Sequence, residues 1–169
     1  MAALIEIVLV RHAIAAERGP KFPDDRLRPL TPDGIRRFRE AVKGLAEFGV
    51  AIDLVLTSPL IRARDTATLL ASGLKPKPGI EEVEALAPGG RHASIVDAIK
   101  THAKRHRRLA LVGHEPDLGE LAARLLGARG SVAFKKGAAC AIDLDGATPG
   151  GPGTLRWLLT PRALRALAQ

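Results

Sequence analysis

The sequence predicts an α/β fold with a mostly parallel sheet. Short, almost wholly apolar runs recur at residues 5–10 (IEIVLV), 53–57 (DLVLT) and 109–112 (LALV). Segments with apolar residues at helical spacing lie between them. Each run also leads through polar residues towards a helix, and strands alternating with helices are the pattern of parallel βαβ units.

The elements follow in order. The first strand, residues 5–10, is apolar on both alternating faces, as a strand covered on both sides must be. A polar, proline-containing loop then runs from Ala15 to about Leu30. Thr31-Pro32 supplies an N-cap and a proline at the first helical position. Ile35, Phe38, Val42 and Leu45 recur on one face of that helix, which Gly49 ends. The second strand, 53–57, meets Ser58-Pro59, which reads as another N-cap-plus-proline start. Its helix carries Arg62 in the first turn and extends to about Gly73. Residues 83–86 (VEAL) read as a short strand, and Pro88-Gly89-Gly90 as a turn before a helix from about His92. The third clear strand, 109–112, closes on Gly113-His114. Residues 117–126 form a helix with Leu118, Leu121, Ala122 and Leu125 on one face, and Asp117 with Glu120 resembles a capping box. Residues 138–144 and 155–159 read as two last strands joined by a Gly/Pro loop, 146–153 (GATPGGPG), expected to be mobile. A short helix starts at Pro161.

Composition bounds the function. A chain of 169 residues suits one domain with a sizeable core. With 46% hydrophobic and 26% charged residues, it is neither disordered nor fibrous. No stretch approaches the about 20 apolar residues of a membrane helix. The apolar start lacks the basic flank and cleavage site of a signal peptide, so a strand and a cytoplasmic location are expected. Cys140 is the only cysteine, which excludes an internal disulfide, and its apolar run, 138–142, makes it a core residue.

Lys and Arg (26) outnumber Asp and Glu (18), a surplus that favours anionic partners. The basic run 102–108 (HAKRHRR) lies where a helix should end, and the helix dipole favours cations there. It reads as a solvated helix end rather than a nucleic-acid patch. Aromatic residues are 3%, with no Tyr, so stacking platforms for single strands are lacking. Neither a nucleic-acid nor a membrane partner is expected.

Three features share one place in this scheme. Arg11-His12 follows the first strand; Ser58-Pro59, with Arg62 one turn on, follows the second; Gly113-His114 follows the third. Ligands of open α/β sheets bind beyond the carboxyl ends of the strands. Parallel strands therefore bring two imidazoles and two guanidiniums to one edge, where helix N-termini add amide donors. Such an edge favours phosphate. Nearby positive charge keeps an imidazole neutral, and a neutral imidazole is a nucleophile towards phosphorus. Arginine suits the equatorial oxygens because its planar fork is permanently charged. A metal centre is not expected, because no carboxylate or thiolate accompanies these histidines in motif spacing.

Taken together, LVRHA (9–13), RPLTPDG (28–34), SPLIRARDTA (58–67) and LVGHEP (111–116) resemble the ordered motifs of the histidine phosphatase, or phosphoglycerate mutase-like, superfamily. The resemblance spans about residues 4–127, and the compact size is similar to the SixA-type phosphohistidine phosphatase branch. It implies a three-layer α/β/α sandwich with no large lid insertion. It further implies that His12 is transiently phosphorylated, that Arg11, Arg62 and His114 line the phosphate pocket, and that no cofactor takes part. Ala13 stands where the family usually has Gly. Glu84 and Asp25 are both open as general acid, and neither is assigned.

The leading expectation is hydrolysis of phosphohistidine in proteins. A phosphatase for small phosphate esters is the runner-up within the enzyme class. A phosphate-binding module without catalysis is the alternative from outside it.

Overall fold

In the computed structural model, which describes residues 3–146 and 152–169, the first strand already dictates the layering. Ile5, Ile7 and Leu9 bury one face of β1 (Leu4–Arg11), while Val8 and Val10 bury the other. A strand apolar on both sides needs cover on both sides.

The cover comes from five helices. On one face of the sheet, α3 (His92–His102) and α4 (Asp117–Leu125) pack Ile95, Ile99, Leu118, Leu121 and Leu125 against Ile5, Ile7 and Leu9. On the other, α1 (Pro32–Glu47), α2 (Ile61–Gly73) and α5 (Pro161–Leu167) pack Phe38, Leu45, Ala63, Leu70 and Leu164 against Val8 and Val10. The result is a three-layer α/β/α sandwich. Its sheet also contains β2 (Leu54–Thr57), β3 (Gly79–Glu82), β4 (Arg108–Gly113), β5 (Ala139–Asp145) and β6 (Thr154–Leu159). The strand order is β3-β2-β4-β1-β5-β6. The first four run parallel, and β5 and β6 are antiparallel additions at one edge.

Local signals account for most of these elements. Thr31 caps α1 by accepting a hydrogen bond from the Gly34 amide at 2.9 Å, with Pro32 at the first position. Thr160 and Pro161 repeat the device for α5. Cys140 is wholly buried in β5, and burial pushes its thiol up to about 11. The basic run after α3 is a helix end, as expected, and Arg108 forms an ion pair with Asp53 at 2.7 Å. Residues 147–151 of the Gly/Pro loop lie outside the described residues. No helix among the described residues is long and apolar enough to cross a membrane.

Three local expectations are corrected. Helix α2 starts at Ile61 and has Leu60 at its N-cap, because the Ser58 hydroxyl accepts from the Leu60 amide at 3.2 Å and meets His114, so neither bond reaches the helix's first turn. The strand expected at 83–86 is instead β3, at Gly79–Glu82, while Glu84–Leu86 is a single 3-10 turn. Strand β3 is exposed along its length, so apolarity was the wrong cue; Leu86 is apolar because it plugs the core. Asp117 and Glu120 form no capping box. Glu115 accepts from the Gly119 amide at 2.8 Å, and Asp117 accepts from the Gly89 amide of the preceding loop at 2.8 Å.

Only residues 74–78 separate α2 from β3, and only residues 83–91 separate β3 from α3. Among the described residues, no large insertion roofs the carboxyl edge of the sheet.

Candidate active site

The carboxyl ends of β1, β2 and β4 are level. Arg11 pairs with Gly113 and Thr57 with Val112. The ladder continues one step past each end, with the His12 amide donating to the Gly113 carbonyl and the Ser58 amide to the Val112 carbonyl, both at 3.0 Å. Residues far apart in sequence are thereby held at one edge by backbone alone.

Arg11, His12, Arg62 and His114 all line a single cavity of about 340 Å³ at this edge. Arg18, Arg28 and Lys136 add further positive charge to its wall, against the carboxylates of Glu17 and Glu115. All four residues expected from the motifs are therefore brought together. The two imidazoles lie with ring centroids 5.1 Å apart.

His12 is 5% exposed, and its Nδ1 lies 2.7 Å from the Ala13 carbonyl oxygen. A carbonyl only accepts, so Nδ1 carries the proton and Nε2 keeps its lone pair. Burial, reinforced by the charges of Arg62, Arg11 and Arg28, lowers the pKa of His12 to about 4. His114 falls to about 3 through burial, the proximity of His12 and the charge of Arg62. Both rings are neutral at pH 7, and His12 presents a free Nε2. Ala13 fits without strain, since no residue other than glycine has a positive φ among the described residues.

The two guanidiniums are fixed by different means. Arg11 donates from Nη1 to the Phe134 carbonyl at 2.7 Å. Arg62, 1% exposed, turns both terminal nitrogens towards Asp25: Nη1 to its carbonyl at 2.7 Å and Nη2 to its carboxylate at 2.8 Å. The other carboxylate oxygen of Asp25 accepts from Arg28 Nε at 3.0 Å. Burial raises the Asp25 pKa, but the hydrogen bonds from Arg28 and Arg62 outweigh it and leave it lowered. Asp25 is thus an ionised anchor for arginines, a poor source of protons. Glu84, the other open candidate for the acid, pairs with Arg26 at 3.3 Å on the surface and does not line the cavity.

Sequence reasoning read the hydroxyl of Ser58 only as a helix cap and passed over that of Thr66. Ser58 is fully buried with Oγ 2.8 Å from His114 Nε2. Thr66 accepts from the Ala13 amide at 3.0 Å and donates to the Arg62 carbonyl at 2.7 Å, joining the loop after β1 to α2. Both stand inside the 58–67 motif, but a hydroxyl that bonds across the fold leaves no trace in spacing. Glu115 was also unassigned; burial raises its pKa, and its neighbourhood includes Arg11.

Four buried side-chain polar atoms have no hydrogen-bond partner among the described residues: Arg11 Nε, Arg62 Nε, His114 Nδ1 and Asp143 Oδ1. The first three are on residues that line the cavity. Away from it, His92, Asp117 and Glu120 bring one donor atom each within 4.8 Å of one another, the only such group among the described residues that could hold a metal ion. None of the three lines the cavity.

Comparison with known proteins agrees with this arrangement. Residues 7–129 match the model of the histidine phosphatase superfamily (branch 1). The chain is 39% identical over 120 residues to an uncharacterized protein of Picosynechococcus sp., covering 70% of this chain and 71% of that one. It is 27% identical over 162 residues to phosphohistidine phosphatase SixA of Escherichia coli, covering 95% and 97% of the two chains. A solved structure of the protein histidine phosphatase SixA complexed with tungstate superimposes with a TM-score of 0.83 at 25% identity, over 95% of this chain and 99% of that one. Motif order, sheet topology and family match coincide, and the chain belongs to the histidine phosphatase superfamily, branch 1, as an enzyme of the phosphatase class.

Proposed function

We propose that this phosphatase hydrolyses phosphohistidine on proteins through a covalent phosphoryl intermediate on His12. The observation that carries the site assignment is the set of orphaned nitrogens. Two arginine Nε atoms and His114 Nδ1, on residues that line the same cavity as His12, are buried without a partner among the described residues. Buried polar groups are nearly always satisfied, so three exceptions in one cavity call for a ligand rich in acceptors. A phosphoryl group offers three equatorial oxygens.

In this reading, His12 Nε2 attacks phosphorus while Nδ1–H stays on the Ala13 carbonyl. A P–N bond forms to His12 as the bond to the leaving group breaks. Arg11, Arg62 and His114 hold the charge on the equatorial oxygens, where preorganised donors contribute most. Water then attacks phosphorus as the P–N bond to His12 breaks and the neutral imidazole is restored; the proton shed by the water passes to a phosphate oxygen, and inorganic phosphate leaves through the open side of the cavity. A phosphohistidine substrate whose second ring nitrogen is protonated departs as neutral imidazole, so the first step needs no separate acid. This fits a site whose Arg62 and Arg28 hold Asp25 ionised behind them.

Three features support a protein substrate. No insertion roofs the cavity. The relatives with nearly full coverage include proteins described as acting on phosphohistidine, and one of them binds tungstate, an oxyanion. Arg18, 78% exposed at its side chain, and Lys136 provide a basic margin for an acidic protein surface. The test is hydrolysis of a phosphohistidine-bearing protein against a panel of phosphomonoesters. The proposal expects the phosphoprotein to be preferred by at least tenfold in kcat/KM; faster turnover of a sugar phosphate or another small ester overturns the substrate assignment.

A further inference from the structure

We propose that Ser58 is a positioning residue that sets the tautomer of His114, making its Nδ1–H a donor to the phosphoryl group. The inference rests on the reading of His114 as a phosphoryl ligand, and it comes from counting protons in a closed space. Ser58 is wholly buried, and its Oγ has two neighbours: the Leu60 amide at 3.2 Å and His114 Nε2 at 2.8 Å. The amide only donates. Ser58 Oγ accepts from it and must place its own proton elsewhere.

Two arrangements of a neutral His114 are possible. If Nε2 carries the ring proton, Ser58 Oγ accepts twice, and the hydroxyl proton is left buried without an acceptor among the described residues. Nδ1 is then a bare lone pair, which repels a phosphoryl oxygen. If Nδ1 carries the proton, the hydroxyl donates to Nε2, and every group at Ser58 is satisfied. The one polar atom left over is His114 Nδ1–H, the nitrogen found buried and without a partner. The first arrangement leaves two buried groups unpaired, the hydroxyl proton and the Nδ1 lone pair, whereas the second leaves only Nδ1–H; each unpaired group carries its own desolvation cost, so the second arrangement prevails. The neutral state that the choice presupposes follows from the burial of His114 at 3% exposure beside His12 and Arg62.

The same hydroxyl thereby joins two jobs. It holds the Leu60 amide at the N-cap of α2, and it sets which nitrogen carries the proton in a ring whose centroid lies 5.1 Å from that of His12. A partner of this kind fixes tautomer and ring direction, and its loss typically costs about 10- to 100-fold.

The experiment reads the tautomer directly, on the phosphate-free enzyme. Long-range ¹H–¹⁵N correlation spectra of ¹⁵N-histidine-labelled protein report which ring nitrogen carries the proton for each of the five histidines. His114 is assigned by the signals lost in His114→Asn. The expected result is an Nδ1–H ring at pH 7 in the wild type, and a shift to the Nε2–H or a mixed state in Ser58→Ala. Activity of that variant falls about 10- to 100-fold, and Ser58→Thr, which keeps the hydroxyl, restores the Nδ1–H signature. A wild-type His114 with Nε2–H, or Nδ1–H retained in Ser58→Ala, overturns the proposal. If Ser58→Ala does not fold, Ser58→Cys, whose thiol is a weaker donor, carries the same comparison. Because the spectrum needs no substrate, failure to hydrolyse phosphohistidine would defeat the functional reading and leave this result standing.

Discussion

On the proposed reading, His12 attacks phosphorus because it is neutral, and its surroundings keep it so. Burial and three guanidiniums lower its pKa to about 4. A protonated imidazole has no lone pair to attack with, so the acid limb of kcat/KM should fall near pH 4, not near the usual 6.5, once substrate ionisation is accounted for. A limb at 6–7 in stopped-flow profiles would contradict the assignment of a buried His12 as the nucleophile. Arg62→Lys is expected to lower kcat/KM about 100- to 1000-fold, since a point charge replaces a fork held in place by Asp25. Asp25→Asn should cost about tenfold by loosening Arg62 and Arg28, while rates across leaving groups of different basicity keep the same slope. A steeper slope in that variant would make Asp25 the proton donor after all.

At the scale of elements, the site is a set of strand ends, and what packs behind them keeps those ends level. Helix α5 lies so close to α1 that a Cβ at Gly44 would collide with the Leu164 carbonyl oxygen. Gly44→Ala should therefore push α5 off the sheet, destabilising the protein by about 1–3 kcal/mol in urea titrations. Thr31→Ala should cost about 1 kcal/mol through loss of the bond to the Gly34 amide. Elements whose physics is local were legible in the chain. Strands β1 and β4 are apolar on both faces, and the Thr-Pro starts of α1 and α5 satisfy their own first turns. Elements defined by distant partners were not. Strand β3 is exposed and pairs only at the sheet edge, so GIEE carries no burial pattern. Ser58 looked like a cap because its use by His114, 56 residues away, is invisible in sequence.

Across the whole molecule, the parallel sheet turns three separate dipeptide signals into one cavity, which is why Arg11, His12, Arg62 and His114 could be named before the fold was known. Their anchors could not: Asp25 stood out only as a possible general acid, and the bonds that it, Thr66 and the Phe134 carbonyl make join distant segments that no spacing rule relates. The same burial that prepares the site weakens the fold in acid. Unfolded, each imidazole protonates near pH 6.5; folded, His12 and His114 do so only at about 4 and about 3. Below 6.5 the unfolded chain binds more protons, so stability is complete at neutral pH and drains away as pH falls towards about 4. His12 alone accounts for about 3 kcal/mol of this loss. Chemical denaturation at pH 7 and pH 4.5 should reveal it, and a His12→Asn variant should lose less stability between the two. The central claim is that His12 carries the phosphoryl group, and the most direct measurement is rapid quenching of enzyme mixed with ³²P-labelled phosphohistidine protein. A label on the enzyme that survives base, is released by acid and disappears in His12→Ala is the predicted result. Turnover with no such label at any quench time, or a label that persists in His12→Ala, would contradict it.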